Sequence, residues 1–181
     1  MKKRLFCILL ALTMAAALAA CGEGSENPGG QGPESPAPPT QSAGSQTAAD
    51  GYTFTVSKAD NYIVAIDDNM ADVLAALGEP LSFFEAASCA FEGMDKTYTY
   101  SGFVITTRPD GEQDYVNSIR LTDDSVVTAE GVYIGCSADD VTAAYGEGHW
   151  TETVISYTKG SSAMNFVLEG DKVVSIEYLA A

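Results

Sequence analysis

Two segments lying 68 residues apart restrict this chain more than anything else in it. IDDNMADVLAALGEP starts at Ile66 and IGCSADDVTAAYGEG starts at Ile134. In that register Ile66 falls on Ile134, Asp72 on Asp140, Val73 on Val141, Ala76 on Ala144, Leu77 on Tyr145, Gly78 on Gly146 and Glu79 on Glu147. Internal repetition is the first thing a sequence has to say about its architecture. Both copies predict a short helix. Asp68 or Asn69 in the first, and Ser137 in the second, are suitable N-caps. Ser137 with Asp140 three residues on has the form of a capping box. Val73, Leu74 and Leu77 have helical spacing, matched by Val141, Ala144 and Tyr145. Gly78 and Gly146 provide the residue that ends a helix, and Pro80 reinforces the first stop.

β material follows each helix. TYTYSGFVITT, a Pro-Asp-Gly turn and DYVNSIRL read as strands joined by tight turns. ETVISYTKGSSAMNFVLEGDKVVSIEYL reads the same way, with turns at Lys159-Gly160 and Gly170-Asp171. SIRL at 118 matches SIEY at 175, an offset of 57, so the first copy holds 11 extra residues around SFFEAASCAFEGMDK. Tyr52 to Ile66, with Tyr-x-Phe-x-Val alternation and an Ala-Asp-Asn turn, reads as a leading hairpin. The expected fold class is α+β: two tandem units of short helix followed by antiparallel β-meander, about 52–124 and 125–181, with helices packed on one face of the sheet.

Helix, Gly-x-Pro stop and antiparallel sheet in that order resemble the β-lactamase inhibitory protein-like family and the related BamE/SmpA-type lipoproteins. The matching residues are Val73, Leu77, Gly78 and Pro80, and less fully Val141, Tyr145 and Gly146, with Gly148 where the proline would be. The resemblance covers residues 60 to 181. It implies a protein-binding sheet face opposite the helices. No residue matches a known contact of that family, so β-lactamase inhibition is not carried over.

The other end of the chain has a different purpose. Lys2, Lys3 and Arg4 precede an apolar run from Leu5 to Leu18, and Leu18-Ala19-Ala20 leads directly into Cys21. A basic head, an apolar stretch and small residues make a secretory leader over 1–20, too short for a comfortable span of roughly 20 apolar residues. Leu-Ala-Ala-Cys resembles a bacterial lipobox. The resemblance implies a diacylglycerol on the Cys21 sulfur, cleavage before it, and anchoring by two signals where one acyl chain binds only marginally. Residues 21–51 then form a tether of Gly, Ser, Pro, Ala, Gln and Glu, with no large apolar residue to offset the entropy of ordering it. The expected localisation is the extracytoplasmic face of the cell membrane, with the bilayer contacted through the Cys21 lipid.

Residues 52–181 remain, a length that suits one compact domain or two small, intimately packed ones. The chain has 9 basic and 25 acidic residues. With three basic residues leaving in the leader, six face 25, a net charge of about −19 that repels phosphate backbones. Nucleic acid is excluded as a partner, and direct adhesion to anionic lipid is disfavoured. Once Cys7 leaves and Cys21 is lipidated, Cys89 and Cys136 are left, either to pair in an oxidising compartment or to stay as free thiols.

Catalytic signals are sparse. His149 is the only histidine and stands beside the only tryptophan, Trp150, in what reads as the loop after the second helix. No GxSxG motif, zinc spacing or phosphate-cradling glycine loop accompanies it. Asp67-Asp68, Asp123-Asp124 and Asp139-Asp140 lack EF-hand spacing, and two of the three pairs fall where carboxylates favour a helix start. No metal or cofactor is expected. Strand alternation puts Ile119, Leu121, Ile176 and Tyr178 toward the helices, and Val116, Ser118, Arg120, Ser175 and Glu177 outward. Tyr98 and Tyr100 should share one face, and Thr97 and Thr99 the other. His149 and Trp150 are the candidate binding patch. The expected function is a non-catalytic, surface-displayed module that binds or scaffolds an envelope or extracellular protein. The alternative is a sensor or hydrolase of cell-wall fragments working through acidic side chains.

Overall fold

A computed structural model describes residues 50–181. The leader, Cys21 and the tether up to residue 49 lie outside the described residues. Among the described residues no helix is long and apolar enough to cross a membrane.

β1 (Thr53–Val56) and β2 (Tyr62–Ala65) form a hairpin of their own. Asp60 and Asn61 turn it with positive φ values of 51° and 59°, a conformation their short polar side chains tolerate. Then come α1 (Met70–Leu77), β3 (Ser82–Ala87), β4 (Met94–Tyr100), β5 (Phe103–Asp110) and β6 (Gln113–Leu121). After a long connection follow α2 (Ala138–Tyr145), β7 (His149–Thr151), β8 (Val154–Lys159), β9 (Ser162–Glu169) and β10 (Lys172–Ala180). The last eight strands make one antiparallel sheet in the order β3-β4-β5-β6-β10-β9-β8-β7.

This corrects the expected α+β class. The protein is mostly β, and its helices are not packed as the layers of two helix-plus-meander units. The reason is one of dimensions. An eight-residue helix is about 12 Å long, whereas eight strands at about 4.8 Å spacing run to roughly 34 Å across. α1 buries only Met70 and Val73, and α2 only Val141. The β1–β2 hairpin adds Phe54, Val56 and Val64 to the core. β6 and β10 pair directly, Leu121 with Ile176 and Ile119 with Tyr178, and so join all eight strands into a single surface.

The core is built on two rows of side chains that cross this surface. Tyr100, Phe103, Leu121, Ile176, Phe166 and Ile155 are successive cross-strand partners from β4 to β8, and all are buried. Tyr98, Ile105, Ile119, Tyr178, Met164 and Tyr157 form the second row, equally buried. The opposite face carries Thr97, Thr106 and Ser118, then Arg120, Glu177, Asn165 and Ser156. Thr106 and Ser118 share a hydroxyl–hydroxyl bond of 2.8 Å there.

Val116 departs from the expected outward set, because it is fully buried. The ladder steps from Thr106–Ser118 to Thr107–Val116, leaving Asn117 without a partner. One extra residue in a strand reverses which face the next side chain takes. β10 does the same at Val174, between Val173 and Ser175.

The two segments related by 68 residues make corresponding local bonds. Asp67 N–H donates to the Val116 carbonyl and Val116 N–H to the Asp68 carbonyl, both at 2.9 Å. Gly135 N–H donates to the Val173 carbonyl at 2.8 Å, and Val173 N–H to the Cys136 carbonyl at 2.9 Å. Both helices end at glycines of positive φ, Gly78 at 74° and Gly146 at 82°. A tyrosine hydroxyl donates to each terminal carbonyl: Tyr100 to Gly78 at 3.2 Å, and Tyr157 to Gly146 at 2.9 Å.

Asn69 caps α1, its side chain accepting from Ala71 N–H at 2.9 Å. Ser137 and Asp140 close the box at α2: the Asp140 carboxylate accepts from the Ser137 hydroxyl at 2.7 Å and from its N–H at 2.8 Å. These bonds, the hydroxyl's first, hold the Asp140 carboxyl below the usual carboxylate range. A depressed folded-state value contributes stability that is fully present above the unfolded carboxylate value and is lost as pH falls through the depressed one. Stability measured by urea unfolding should therefore fall more steeply below about pH 4 in the wild type than in Asp140→Asn, which has no such proton to take up.

Candidate functional site

β3 is the outer strand on one side of the sheet, and all six of its residues are exposed. Phe84 is 66% exposed and Phe83 51%, and Leu81 just before them is 75% exposed. Phe91 and Met94, in the turn and at the start of β4, are exposed as well. No other part of the described surface gathers five large apolar side chains in one stretch of chain. Apolar exposure gathered in this way marks a contact site more often than scattered single residues do, here along an edge that presents one phenylalanine to each face of the sheet.

Pairing with β4 sets the geometry of this edge. Phe83 lies opposite Tyr98, with ring centroids 5.1 Å apart, on the core side of the sheet. Phe84 lies opposite Thr97, on the polar side. The β3–β4 turn closes with Ser88 N–H donating to the Gly93 carbonyl at 3.0 Å. From that bond the antiparallel alternation directs the backbone groups of Ser82, Phe84 and Ala86 toward β4. The N–H and C=O of Phe83, Glu85 and Ala87 point away from the sheet.

Sheet edges are normally blunted by Lys, Pro, bulges or shortness. β3 contains neither Lys nor Pro and pairs with β4 without a register shift. The surrounding charge is of one sign: residues 79–95 hold Glu79, Glu85, Glu92 and Asp95 and no Lys or Arg. Lys96, opposite Glu85, gives its ammonium to Asp114 at 2.7 Å. That bond, against partial burial, holds the Lys96 value above its ordinary range. Arg108 bonds Asp67 at 2.9 Å and lies over the Phe91 ring at 6.0 Å.

The expected patch of His149 and Trp150 is arranged differently. The two residues sit not in a loop but in β7, the outer strand on the other side, only three residues long. Both are exposed. His149 lies opposite Ser156 and Trp150 opposite Ile155, so the two side chains leave opposite faces of the sheet. A single contact surface on either face therefore receives one of them. Cys89 and Cys136 are both free thiols, Cys89 exposed in the β3–β4 connection and Cys136 buried ahead of α2. Among the described residues no group of three or more His, Cys, Asp or Glu converges as a metal site. Asp68 accepts instead from Ala65 N–H at 2.7 Å, and Asp123 from Ser125 N–H at 2.8 Å.

Sequence reasoning placed the 11 extra residues around SFFEAASCAFEGMDK but assigned them no strand and no role. The signal was the spacing of Phe83, Phe84, Phe91 and Met94 within an insertion. Because Phe84 touches so little, Phe84→Ser should leave stability to urea within about 0.5 kcal/mol of wild type. A larger loss would mean that the edge is covered in the folded protein.

Comparison with family models, with curated proteins and with solved structures found no match to this chain.

Proposed function

We propose that this chain is a lipid-anchored module on the extracytoplasmic face of the cell membrane, and that it binds another protein through the outer strand β3. The observation that carries the reading is an edge strand with all six residues exposed, two of them adjacent phenylalanines, unblunted by Lys or Pro. An edge of this kind either pairs with a partner or invites aggregation. The leader, the lipobox-like Leu-Ala-Ala-Cys21 and the tether support display away from the bilayer. The net negative charge supports a protein partner over anionic lipid or nucleic acid.

The test is site-specific photo-crosslinking in intact cells, with the photoreactive residue at position 84 and, as a control, at exposed Thr158 on β8. The reading expects a discrete protein adduct from position 84 and none from position 158. Adducts equally abundant at both positions, or recovery of peptidoglycan alone, would overturn it.

A further inference from the structure

We infer that β3 takes its partner by strand addition, and that the partner is an extended, cationic segment with apolar residues interspersed, lying antiparallel or parallel along β3 as a ninth strand. The inference rests on the proposed binding role and adds how the partner is held and what its chemistry is. Three observations converge on it. The first is the backbone. Phe83, Glu85 and Ala87 direct N–H and C=O groups outward from the sheet, which is the hydrogen-bonding half of strand addition. The second is the side chains. An incoming strand meets Phe83 on the core-side face and Phe84 on the polar face, so both of its faces gain an aromatic neighbour. The third is charge. Glu79, Glu85, Glu92 and Asp95 flank the edge with no Lys or Arg among residues 79–95, Lys96 opposite Glu85 bonds to Asp114, and Arg108 bonds to Asp67.

The same charges argue against a second copy of this chain as the occupant. Pairing β3 with its own symmetry mate brings together two acidic segments, four carboxylates on each side, from two molecules already strongly negative. Like charges placed across a strand pair are destabilising. A segment rich in Lys or Arg meets the same carboxylates favourably, and its association is weakened by salt.

The experiment uses the full chain in detergent and a fluorescein-labelled ten-residue peptide of alternating valine and lysine. Binding is followed by fluorescence anisotropy. The peptide should bind saturably and lose affinity as salt rises, and an alternating valine–glutamate peptide should not bind. Glu85→Pro removes one outward N–H without touching the β4 ladder, because Pro is tolerated where the N–H faces solvent. It should weaken binding by about tenfold, more than the charge-only change Glu85→Gln. N-methylation of alternate peptide residues should abolish binding to the wild-type chain, and this arm does not depend on any variant folding.

Equal binding by the N-methylated peptide, or by Glu85→Pro and Glu85→Gln, would overturn strand addition. Dimerisation of the full chain through β3, detected by a crosslink between two copies at position 84, would overturn the choice of occupant. Failure of every peptide to bind, while position 84 still captures a protein in cells, would remove this inference and leave the binding role standing. Peptide binding without any cellular adduct would support the edge chemistry and count against the binding role.

Discussion

Truncating Phe166 to alanine is expected to destabilise the domain by about 3–5 kcal/mol, enough to unfold many domains of this size at moderate temperature. Phe166 sits on β9 within the first core row, fully buried, between Ile176 on β10 and Ile155 on β8. Its ring packs against Tyr145 of α2, with centroids 5.1 Å apart, and against Tyr157 of β8 at 5.9 Å. Its contact with Tyr145 therefore helps to hold α2 on the sheet. Removing it leaves a void lined by two tyrosines whose hydroxyls are already committed, Tyr157 to Gly146 and Tyr145 to Glu130. Those bonds limit how far the rings can collapse into the gap, which places the change at the upper part of the range. Urea unfolding with the slope held in common is the measurement; a loss under about 2 kcal/mol would mean that α2 is not held by this contact.

The second large effect comes from adding volume. Gly148 precedes β7 directly, and a Cβ there would collide with Ile155 Cγ2 and lie 2.7 Å from Tyr157 Cζ. Neither neighbour is the loose end of a long side chain: Ile155 is fully buried, and the Tyr157 hydroxyl is tied to the end of α2. Gly148→Val is expected to cost about 1–3 kcal/mol through overpacking, with the damage felt at the α2–β8 junction. Gly111 differs in kind: nothing lies within 4 Å of a Cβ built there, and it is its φ of 63° rather than crowding that favours glycine. The same crowding accounts for the sequence. In the first copy Pro80 stands at the corresponding place, whereas the close approach of Tyr157 and Ile155 leaves room only for glycine in the second.

Much of the local structure was legible. Asn69, Ser137 with Asp140, Gly78 and Gly146 are signals whose chemistry is satisfied within a few residues of themselves, so reading them required no knowledge of the rest of the chain. The helical periodicity marks two eight-residue segments that are minor parts of a β protein. What was not legible is long-range. Nothing in SIRL or SIEY says that they are neighbours, yet the pairing of Leu121 with Ile176 fuses eight strands into one sheet. The bulge at Asn117 hid the burial of Val116, because a strict period of two fails wherever one residue is inserted.

The candidate site was missed for a related reason. Strand prediction relies on contrast between a buried face and an exposed one, and β3 has no such contrast, since every residue in it is exposed. Its composition, with Ala86, Ala87 and Glu85, also argues weakly against a strand. Trp150 and His149 are rare residue types in this chain, but adjacency along a strand divides them between two faces. In both cases the informative quantity was where the strand lies in the sheet, and that is set by partners far away in sequence.

The central claim is that β3 is an open edge awaiting a ninth strand. Residue-resolved amide hydrogen exchange on the full chain tests it most directly. In the free protein Phe83, Glu85 and Ala87 should exchange fast while Phe84 and Ala86 are protected by β4, and addition of the valine–lysine peptide should slow the first set alone. Uniform protection along β3 in the free protein, or no change in Phe83, Glu85 and Ala87 when the peptide is bound, would contradict it.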